Sequence, residues 1–179
     1  TIVFGSSWSS EEKIAEIIFK ANSDSKMIIA PHDLKRVQNL KQIFPDALLY
    51  SEIHNQSSLS DHRLLIIDSI GLLSKLYSYS DIAVVGGGFH DAGLHNILEA
   101  ATFGMPVIFG NHYRKNPEAD DLIKANGGKS FEEENVAADF ALFLMNDNDE
   151  VLNEMSANSK KFVDEKPNST EIILKKILS

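Results

Sequence analysis

The chain has 179 residues, 43% of them hydrophobic, which is enough to bury the core of one domain and too few for two domains of ordinary size. Its formal net charge of -9 disfavours binding to nucleic acid or to an anionic bilayer, because both need clustered Lys and Arg. The absence of cysteine excludes disulfides and thiolate zinc sites.

The sequence contains no secretory signal pattern and no apolar run of membrane-spanning length. We therefore expect this chain to be soluble, without direct membrane contact. It begins inside a predicted strand at Thr1, with no starter methionine and no polar lead-in. This beginning predicts that the chain was cut from a longer protein.

Short β-branched or aliphatic runs alternate with segments of helical periodicity, which is typical of βαβ units around a parallel sheet. The predicted strands cover residues 1–5, 26–30, 46–50, 63–67, 81–85 and 106–109. The predicted helices cover residues 9–22, 33–43, 70–78, 94–103 and 117–126, followed by a wholly helical tail at 135–145, 150–163 and 168–178. The pattern predicts one Rossmann-like α/β domain over residues 1–179, with a three-layer α/β/α architecture and a parallel sheet of about six strands.

Two local signals add detail to this pattern. Ser9 followed by Glu12 fits a capping box at the start of the first helix. The polar stretch from Ser51 to Asp61 predicts a surface loop.

The segment from residue 81 to residue 110 predicts a strand, a glycine turn, a helix, a Gly-Met-Pro break and a second strand. Gly86, Gly87 and Gly88 follow the first strand directly, at the edge where ligands bind in open parallel sheets. The helix predicted to begin near Gly93 or Leu94 would point its free N–H groups towards the same crevice. We therefore predict a phosphate site at this edge.

Polar side chains at the start of the same helix are further candidates. The predicted helix buries a stripe made of Leu94, Ile97, Leu98 and Ala101. His95 and Glu99 then lie one turn apart, so that Glu99 accepts hydrogen bonds from ribose while His95 or Asn96 meets phosphate or sugar. Taken alone, the glycines fit ordinary turn chemistry better than a ligand loop, because their spacing matches neither Walker A nor the dinucleotide fingerprint. His95 likewise fits a cap or a core hydrogen bond.

The order of motifs in this segment resembles the Kdo (3-deoxy-D-manno-octulosonic acid) transferases. The matching motifs are Gly-Gly-Gly-Phe at 86–89, Gly-Leu-His-Asn-Ile-Leu-Glu-Ala-Ala at 93–101 and Gly-Met-Pro-Val-Ile-Phe-Gly at 104–110. The family pattern runs Gly-Gly-Ser, Gly-Gly-His-Asn-x-Leu-Glu and Gly-x-Pro-Val. A Glu-x-x-x-x-Gly-x-Pro stretch is common among GT-B glycosyltransferases, whereas the His-Asn-x-Leu-Glu core is more specific.

Three weaker segments extend the resemblance to about residues 1–127. They are Gly-Ser-Ser-Trp-Ser-Ser-Glu-Glu at 5–12, Pro-His-Asp-Leu-Lys-Arg at 31–36 and Asp-Ser-Ile-Gly-Leu-Leu at 68–73, the last followed by Leu-Tyr at 76–77. The second segment has His32 where the family has its first Arg, so Lys35, Arg36 or His32 would have to supply that phosphate contact. Residues 111–116 resemble the family only loosely, and the resemblance assigns them no role.

The resemblance implies the carboxyl-terminal, donor-binding half of a two-domain GT-B enzyme, with the amino-terminal acceptor domain absent from this chain. It implies an inverting transfer of Kdo from CMP-Kdo to lipid A precursor in lipopolysaccharide synthesis, at the cytoplasmic face of the inner membrane. No cofactor or metal is implied, because helix N–H groups and basic side chains stabilise the leaving group. The general base is expected on the absent domain, so no catalytic residue is assigned and this chain alone is expected to be inactive.

The resemblance also places Ile70 and Gly71 near the cytosine, and Ser6 and Ser7 near the sugar or the domain interface. The full set of predicted substrate-binding residues is Ser6, Ser7, His32, Arg36, Ile70, Gly71, Gly86, Gly87, Gly88, Gly93, His95, Asn96 and Glu99.

Two alternatives remain open at this point. The first is a GT-B glycosyltransferase or an epimerase that uses a UDP-sugar. The second is a non-catalytic, flavodoxin-like interaction domain such as a receiver domain. A receiver domain needs an acidic pocket at the first strand and a phospho-acceptor Asp after a central strand, and glycines occupy those places here.

Overall fold

The fold is built on one parallel sheet, seen in a computed structural model that describes residues 1–55, 61–146, 148–166 and 176–177. Within this part the sheet has seven strands in the order β3-β4-β2-β1-β5-β6-β7, and every neighbouring pair is parallel. The strands are β1 Ile2–Ser7, β2 Met27–Pro31, β3 Leu48–Leu49, β4 Leu64–Ile66, β5 Ile82–Val85, β6 Val107–Gly110 and β7 Gly128–Phe131.

All six predicted strands are present, and β7 is an additional strand that the sequence did not predict. Its residues are Gly-Lys-Ser-Phe, in which only Phe131 is a large apolar residue, so no apolar run marks it. Its pairing with β6 runs over four residues, from Val107 with Gly128 to Gly110 with Phe131. The predicted Rossmann-like α/β architecture is confirmed, with one strand more than expected.

The α-helices are α1 Ser9–Ala21, α2 Val37–Ile43, α3 Leu73–Leu76, α4 Leu98–Ala101, α5 Pro117–Lys124, α6 Glu134–Met145 and α7 Asp149–Asp164. Short 3-10 helices cover Leu34–Arg36, Tyr50–Asn55 and Tyr77–Tyr79. The predicted loop 51–61 thus begins as helical turns, and residues 56–60 lie outside the described residues. Of the predicted helix 168–178, only residues 176–177 are described.

Side chains alternate between the two faces of the sheet and build a core on each. Ile2 and Phe4 of β1 face the core that includes residues of α1 and α6. Val3 faces the opposite core, which includes residues of α4 and α5. The period-two alternation of a strand therefore produces the predicted three layers.

The start of α1 differs from the predicted capping box by one residue. Trp8 is the N-cap, and the Glu11 carboxylate reaches back to accept the Trp8 N–H at 2.8 Å. Glu12 instead forms an ion pair with Arg36. The prediction of a Ser9 and Glu12 box was therefore wrong.

The strand order reverses between β1 and β5. Chain segments leaving the carboxyl ends of these two strands diverge there, which opens a crevice in an open parallel sheet. This switch point is where the sequence places its glycine turn. Among the described residues, no helix combines the length and the apolar character needed to cross a membrane.

Candidate functional site

A groove of about 670 Å³ lies at the carboxyl ends of β1, β2 and β4. It is lined in part by five of the predicted residues, namely Ser6, His32, Arg36, Ile70 and Gly71. These residues come from three segments that are distant in the sequence and that the parallel sheet brings to one edge. The structure therefore assembles this part of the predicted set.

The backbone on both sides of the groove is held in left-handed conformations. Ser6 has a φ of 51° and Gly71 has a φ of 88°. Ile70, next to Gly71, is 89% exposed, so an apolar side chain stands open at the rim. In the groove wall, the Ser69 hydroxyl is buried and has no hydrogen-bond partner among the described residues.

Four aromatic rings pack together at the β1 side of the groove, and we refer to Trp8, His32, His90 and His95 as the ring cluster. Of these, Trp8 and His32 line the groove. Trp8 stacks on His32 with ring centroids 4.5 Å apart and meets His90 edge-on at 4.7 Å. His32 lies 4.7 Å from His95, and Trp8 Nε1–H donates to His95 Nε2 at 3.4 Å. The cluster joins the loops that follow β1, β2 and β5.

The surroundings of His95 favour its neutral imidazole form over the charged form. Its pKa is lowered mainly by burial, and also by the neighbouring His32 and His90. In the neutral ring Nε2 accepts from Trp8, which leaves the proton on Nδ1. The side chain can therefore donate a hydrogen bond without carrying charge.

His90 has one satisfied and one unsatisfied ring nitrogen. Its Nδ1 lies 3.2 Å from the Ala92 N–H and accepts that hydrogen bond. Its Nε2 is buried and has no partner in the described part of the chain. His90 does not line the groove but contacts Trp8, which does. A buried polar atom without a partner close to a ligand-sized groove is the kind of group that a bound molecule satisfies.

Glu11 is fully buried beneath the ring cluster. One carboxylate oxygen accepts the Trp8 N–H at 2.8 Å, and the other accepts the Gly87 N–H at 3.2 Å. Burial raises the pKa of Glu11, and this effect outweighs the opposing effect of its backbone hydrogen bonds. The sequence contained Glu11 within a matching motif but gave no sign that it would link two turns.

The three glycines of the turn after β5 are required by close backbone packing. An added Cβ would lie 1.9 Å from Ser6 O at Gly86, 2.2 Å from Gly93 O at Gly87 and 2.6 Å from Gly110 N at Gly88. The Gly86 N–H donates to Gly5 O, and the Gly87 N–H donates to Glu11. Two of the amides predicted to face a phosphate are therefore already engaged inside the protein.

The helix predicted to begin at Leu94 begins at Leu98 instead. The N–H of His95 donates to Gly86 O at 3.0 Å, which holds the chain extended beside the glycine turn. Leu94 is 7% exposed and packs in the core. The predicted pocket formed by amides opening a helix at Leu94 is therefore wrong.

Asn96 and Glu99 are consequently engaged with each other rather than spread along a helical face. Asn96 Oδ1 accepts the Leu98 N–H at 3.0 Å, and Asn96 Nδ2 donates to Glu99 Oε1 at 3.1 Å. The expected arrangement of His95 and Glu99 one helical turn apart does not occur. Asn96 thus binds the first N–H of the short helix that replaces the predicted one, whose N-cap residue is Ile97.

The side chains of two other predicted residues are also engaged or buried within the protein. The Arg36 guanidinium donates from Nε and Nη2 to the two oxygens of buried Glu12, each at 2.6 Å. Only its Nη1 lies outside this bidentate pair. Ser7 is fully buried, so its side chain is not part of the open groove surface.

A second cavity, of about 360 Å³, lies beside Gly93 on the β5 and β6 side of the switch point. Besides Gly93 it is lined by Asp91, Asn111, His112, Arg114 and Lys115. Sequence analysis assigned no role to residues 111–116, so these residues were missed. Within the described residues, no group of three or more acidic or His side chains is placed to hold a metal ion.

Comparisons with known proteins agree with this fold. No model of a protein family matches the chain. A bifunctional glycosyltransferase/methyltransferase of Fusobacterium nucleatum is 33% identical over 139 residues, covering 75% of this chain and 21% of that protein. A 3-deoxy-D-manno-octulosonic acid transferase of Chlamydophila psittaci is 29% identical over 123 residues, covering 67% of this chain and 28% of that protein.

Solved structures match the chain over nearly its whole length. The crystal structure of the C-terminal CMP-Kdo binding domain of WaaA from Acinetobacter baumannii has a TM-score of 0.79 and 22% identity, and the match covers 92% of this chain and 89% of that one. The chain belongs to the Kdo transferase family. As a Kdo transferase relative it spans only about a quarter of the length of the curated proteins it matches.

Proposed function

We propose that this domain binds CMP-Kdo and forms the donor half of an inverting Kdo transferase of lipopolysaccharide biosynthesis. In this proposal the pyrimidine lies in the groove near Ile70 and Gly71, and the phosphate lies towards the ring cluster. The observation that carries the proposal is the position of His32, which lines the groove and stacks within the ring cluster. A ligand in the groove therefore meets the His32 imidazole directly.

Polar groups without partners support a ligand at this place. The Ser69 hydroxyl in the groove wall and His90 Nε2 in the ring cluster are both buried and unpaired among the described residues. A nucleotide supplies phosphate and ribose oxygens that accept from such donors. We infer that imidazole groups, rather than a metal ion, stabilise the negative charge on the departing CMP.

The remaining parts of the reaction belong to segments outside this chain. We infer that an amino-terminal domain binds the lipid A precursor, supplies the general base and brings the full-length enzyme to the cytoplasmic face of the inner membrane. The isolated chain is then expected to bind donor without transferring Kdo. Transfer of radiolabelled Kdo by the isolated chain at a rate above background would contradict this division of labour.

Titration calorimetry with CMP, UDP and GDP tests the choice of donor. We expect CMP to bind at least about tenfold more tightly than UDP, a difference of about 1.4 kcal/mol that one base-specific contact supplies. Tighter binding of UDP would favour the UDP-sugar glycosyltransferase or epimerase. No binding of any of the three nucleotides would reject a nucleotide groove altogether.

A pair of histidine variants ties the binding to the groove. His32→Ala removes a ring that lines the groove, and we expect it to weaken CMP binding by about tenfold. His62→Ala is the matched control, because His62 contacts the Asp46 carbonyl at another edge of the sheet. Equal effects of the two variants would show that the nucleotide binds elsewhere.

A further inference from the structure

The second cavity, beside Gly93, carries two cations that the proposed nucleotide groove does not use. Arg114 and Lys115 both line it and both are exposed. Neither forms an ion pair or a hydrogen bond within the described residues, whereas Arg36 and Lys13 are paired with Glu12 and Glu134. The chain has a net charge of -9, but two adjacent unpaired cations at the carboxyl ends of the strands give this cavity a local positive potential.

The one carboxylate in the cavity lining, set against these two cations, leaves the lining with a net positive charge. Asp91 pairs with His112, with Oδ1 and Nδ1 3.1 Å apart. Asp91 is thus directed to an imidazole rather than to Arg114 or Lys115. The cavity keeps its cationic groups available to a ligand.

The segment that carries the two cations is anchored to the fold. The His112 N–H donates to Gly88 O at 2.8 Å, which fastens the segment to the glycine turn. The Asn116 N–H donates to Tyr113 O at 2.8 Å, and the Tyr113 ring packs edge-on against Phe109 at 5.5 Å. The backbone beneath Arg114 and Lys115 is therefore positioned before any ligand arrives.

We propose that Arg114 and Lys115 form an anion subsite that binds a carboxylate or phosphate group of a substrate, separately from the nucleotide groove. A guanidinium provides paired N–H donors that match the oxygens of either group. The identity of the substrate rests on the proposed function, in which the donor sugar carries a carboxylate and the acceptor carries phosphate. The subsite adjoins Gly93, which places it beside the ring cluster on the side opposite the groove.

Amide NMR titrations of the chain with free Kdo and with inorganic phosphate test the subsite without any nucleotide. We expect saturable shifts of the amides of residues 111–115, and at least about fivefold weaker binding in the double variant Arg114→Ala/Lys115→Ala. Lys124→Ala/Lys161→Ala removes the same charge from α5 and α7 and is expected to leave binding unchanged. Tighter binding of Kdo than of phosphate assigns the subsite to the donor carboxylate, and the reverse order assigns it to the acceptor phosphate.

Two results would overturn the subsite. One is the absence of saturable shifts at residues 111–115 with either probe, and the other is equal weakening by the two double variants. CMP binding measured on the same samples keeps this outcome apart from the nucleotide proposal. A chain that binds CMP normally but neither anion would lose the subsite and retain the proposed function.

Discussion

Glu11 Oε1 accepts a hydrogen bond from the Gly87 N–H at 3.2 Å, across 76 positions of sequence. The other oxygen of the same carboxylate accepts the Trp8 N–H. A single buried side chain therefore couples the turn after β1 to the turn after β5. The shape of the crevice depends on this carboxylate even though no ligand would touch it.

Replacing Glu11 is expected to destabilise the fold. Glu11→Ala leaves two N–H groups without their acceptor, and we expect the free energy of unfolding in urea to fall by about 2–4 kcal/mol. Glu11→Gln keeps one acceptor oxygen and is expected to lose less. Glu16→Ala, a change at a partly exposed position on the same helix, should alter stability by less than about 0.5 kcal/mol. Equal losses for Glu11→Ala and Glu16→Ala would contradict this account.

The pH dependence of stability should also report on Glu11. Because its pKa is raised in the folded chain, the folded state binds this proton more tightly than the unfolded state does. The stabilisation that protonated Glu11 gives to the fold is complete below the ordinary pKa of 4.5 and is lost as pH rises through the pKa of Glu11 in the folded chain. The difference in unfolding free energy between the native chain and Glu11→Gln should therefore fall as pH rises above about 4.5. A difference that rises with pH would show that the direction of the shift is wrong.

Removal of the Arg36 guanidinium is expected to lower the free energy of unfolding, because buried Glu12 loses its partner. Glu12 is 2% exposed, and Arg36→Ala leaves this carboxylate buried without a counter-charge. We expect urea unfolding to show a loss of about 3–5 kcal/mol, typical of breaking one side of a buried pair. Arg36→Ala combined with Glu12→Gln should recover part of that loss. The absence of any recovery in the double variant would argue against a specific pair.

Two glycines of the same region should respond differently to alanine. At Gly88 an added Cβ meets the backbone of Gly110 at 2.6 Å, so the glycine turn and β6 must move apart. We expect a loss of at least about 3 kcal/mol in the free energy of unfolding. At Gly93 the φ of 92° is strained for alanine but no atom lies within 4 Å of the new Cβ, so we expect about 1–2 kcal/mol. Thermal unfolding of both variants makes the comparison. A larger loss at Gly93 than at Gly88 would contradict the packing role.

His95 should make the fold less stable under acidic conditions. The pKa of His95 is lowered in the folded chain, chiefly by burial. The stabilisation that the neutral side chain gives to the fold is therefore complete above the ordinary pKa of 6.5 and is lost as pH falls through the lowered pKa. His95→Gln does not titrate, and the stability difference between the native chain and this variant should shrink from pH 7.5 to pH 5.5, about one unit either side of the ordinary value. Urea unfolding at both pH values measures this difference in stability. A pH-independent difference would remove the titration of His95 as its cause.

The sheet could be predicted from the sequence because its central strands are apolar on both faces. Strands such as Ile82–Val85 lie between two helical layers, and a short run of aliphatic residues marks them clearly. β7 at the sheet edge lacks such a run, so only its pairing with β6 reveals it. Pairing is a tertiary property that a local pattern does not contain.

The candidate site was predictable in its location and less so in its contacts. The motifs identified the switch point, and the groove there includes His32 and Gly71 as expected. The prediction that α4 begins near Leu94 was wrong, because the His95 N–H donates to Gly86 O and not to a carbonyl one helical turn before it. Arg36 lines the groove as expected but is paired with Glu12, and Ser7, which was expected near the sugar or the domain interface, is completely buried. Each of these outcomes depends on a distant partner in the sequence.

Trp8 is the only tryptophan of the chain, and it lies in contact with His32, His90 and His95. The intrinsic fluorescence of the protein at excitation wavelengths selective for indole therefore originates entirely from the border of the groove. Ligand arrival, imidazole protonation and local loosening all act on the surroundings of this one fluorophore. The molecule consequently carries its own optical probe at the place where its chemistry is expected, without any label.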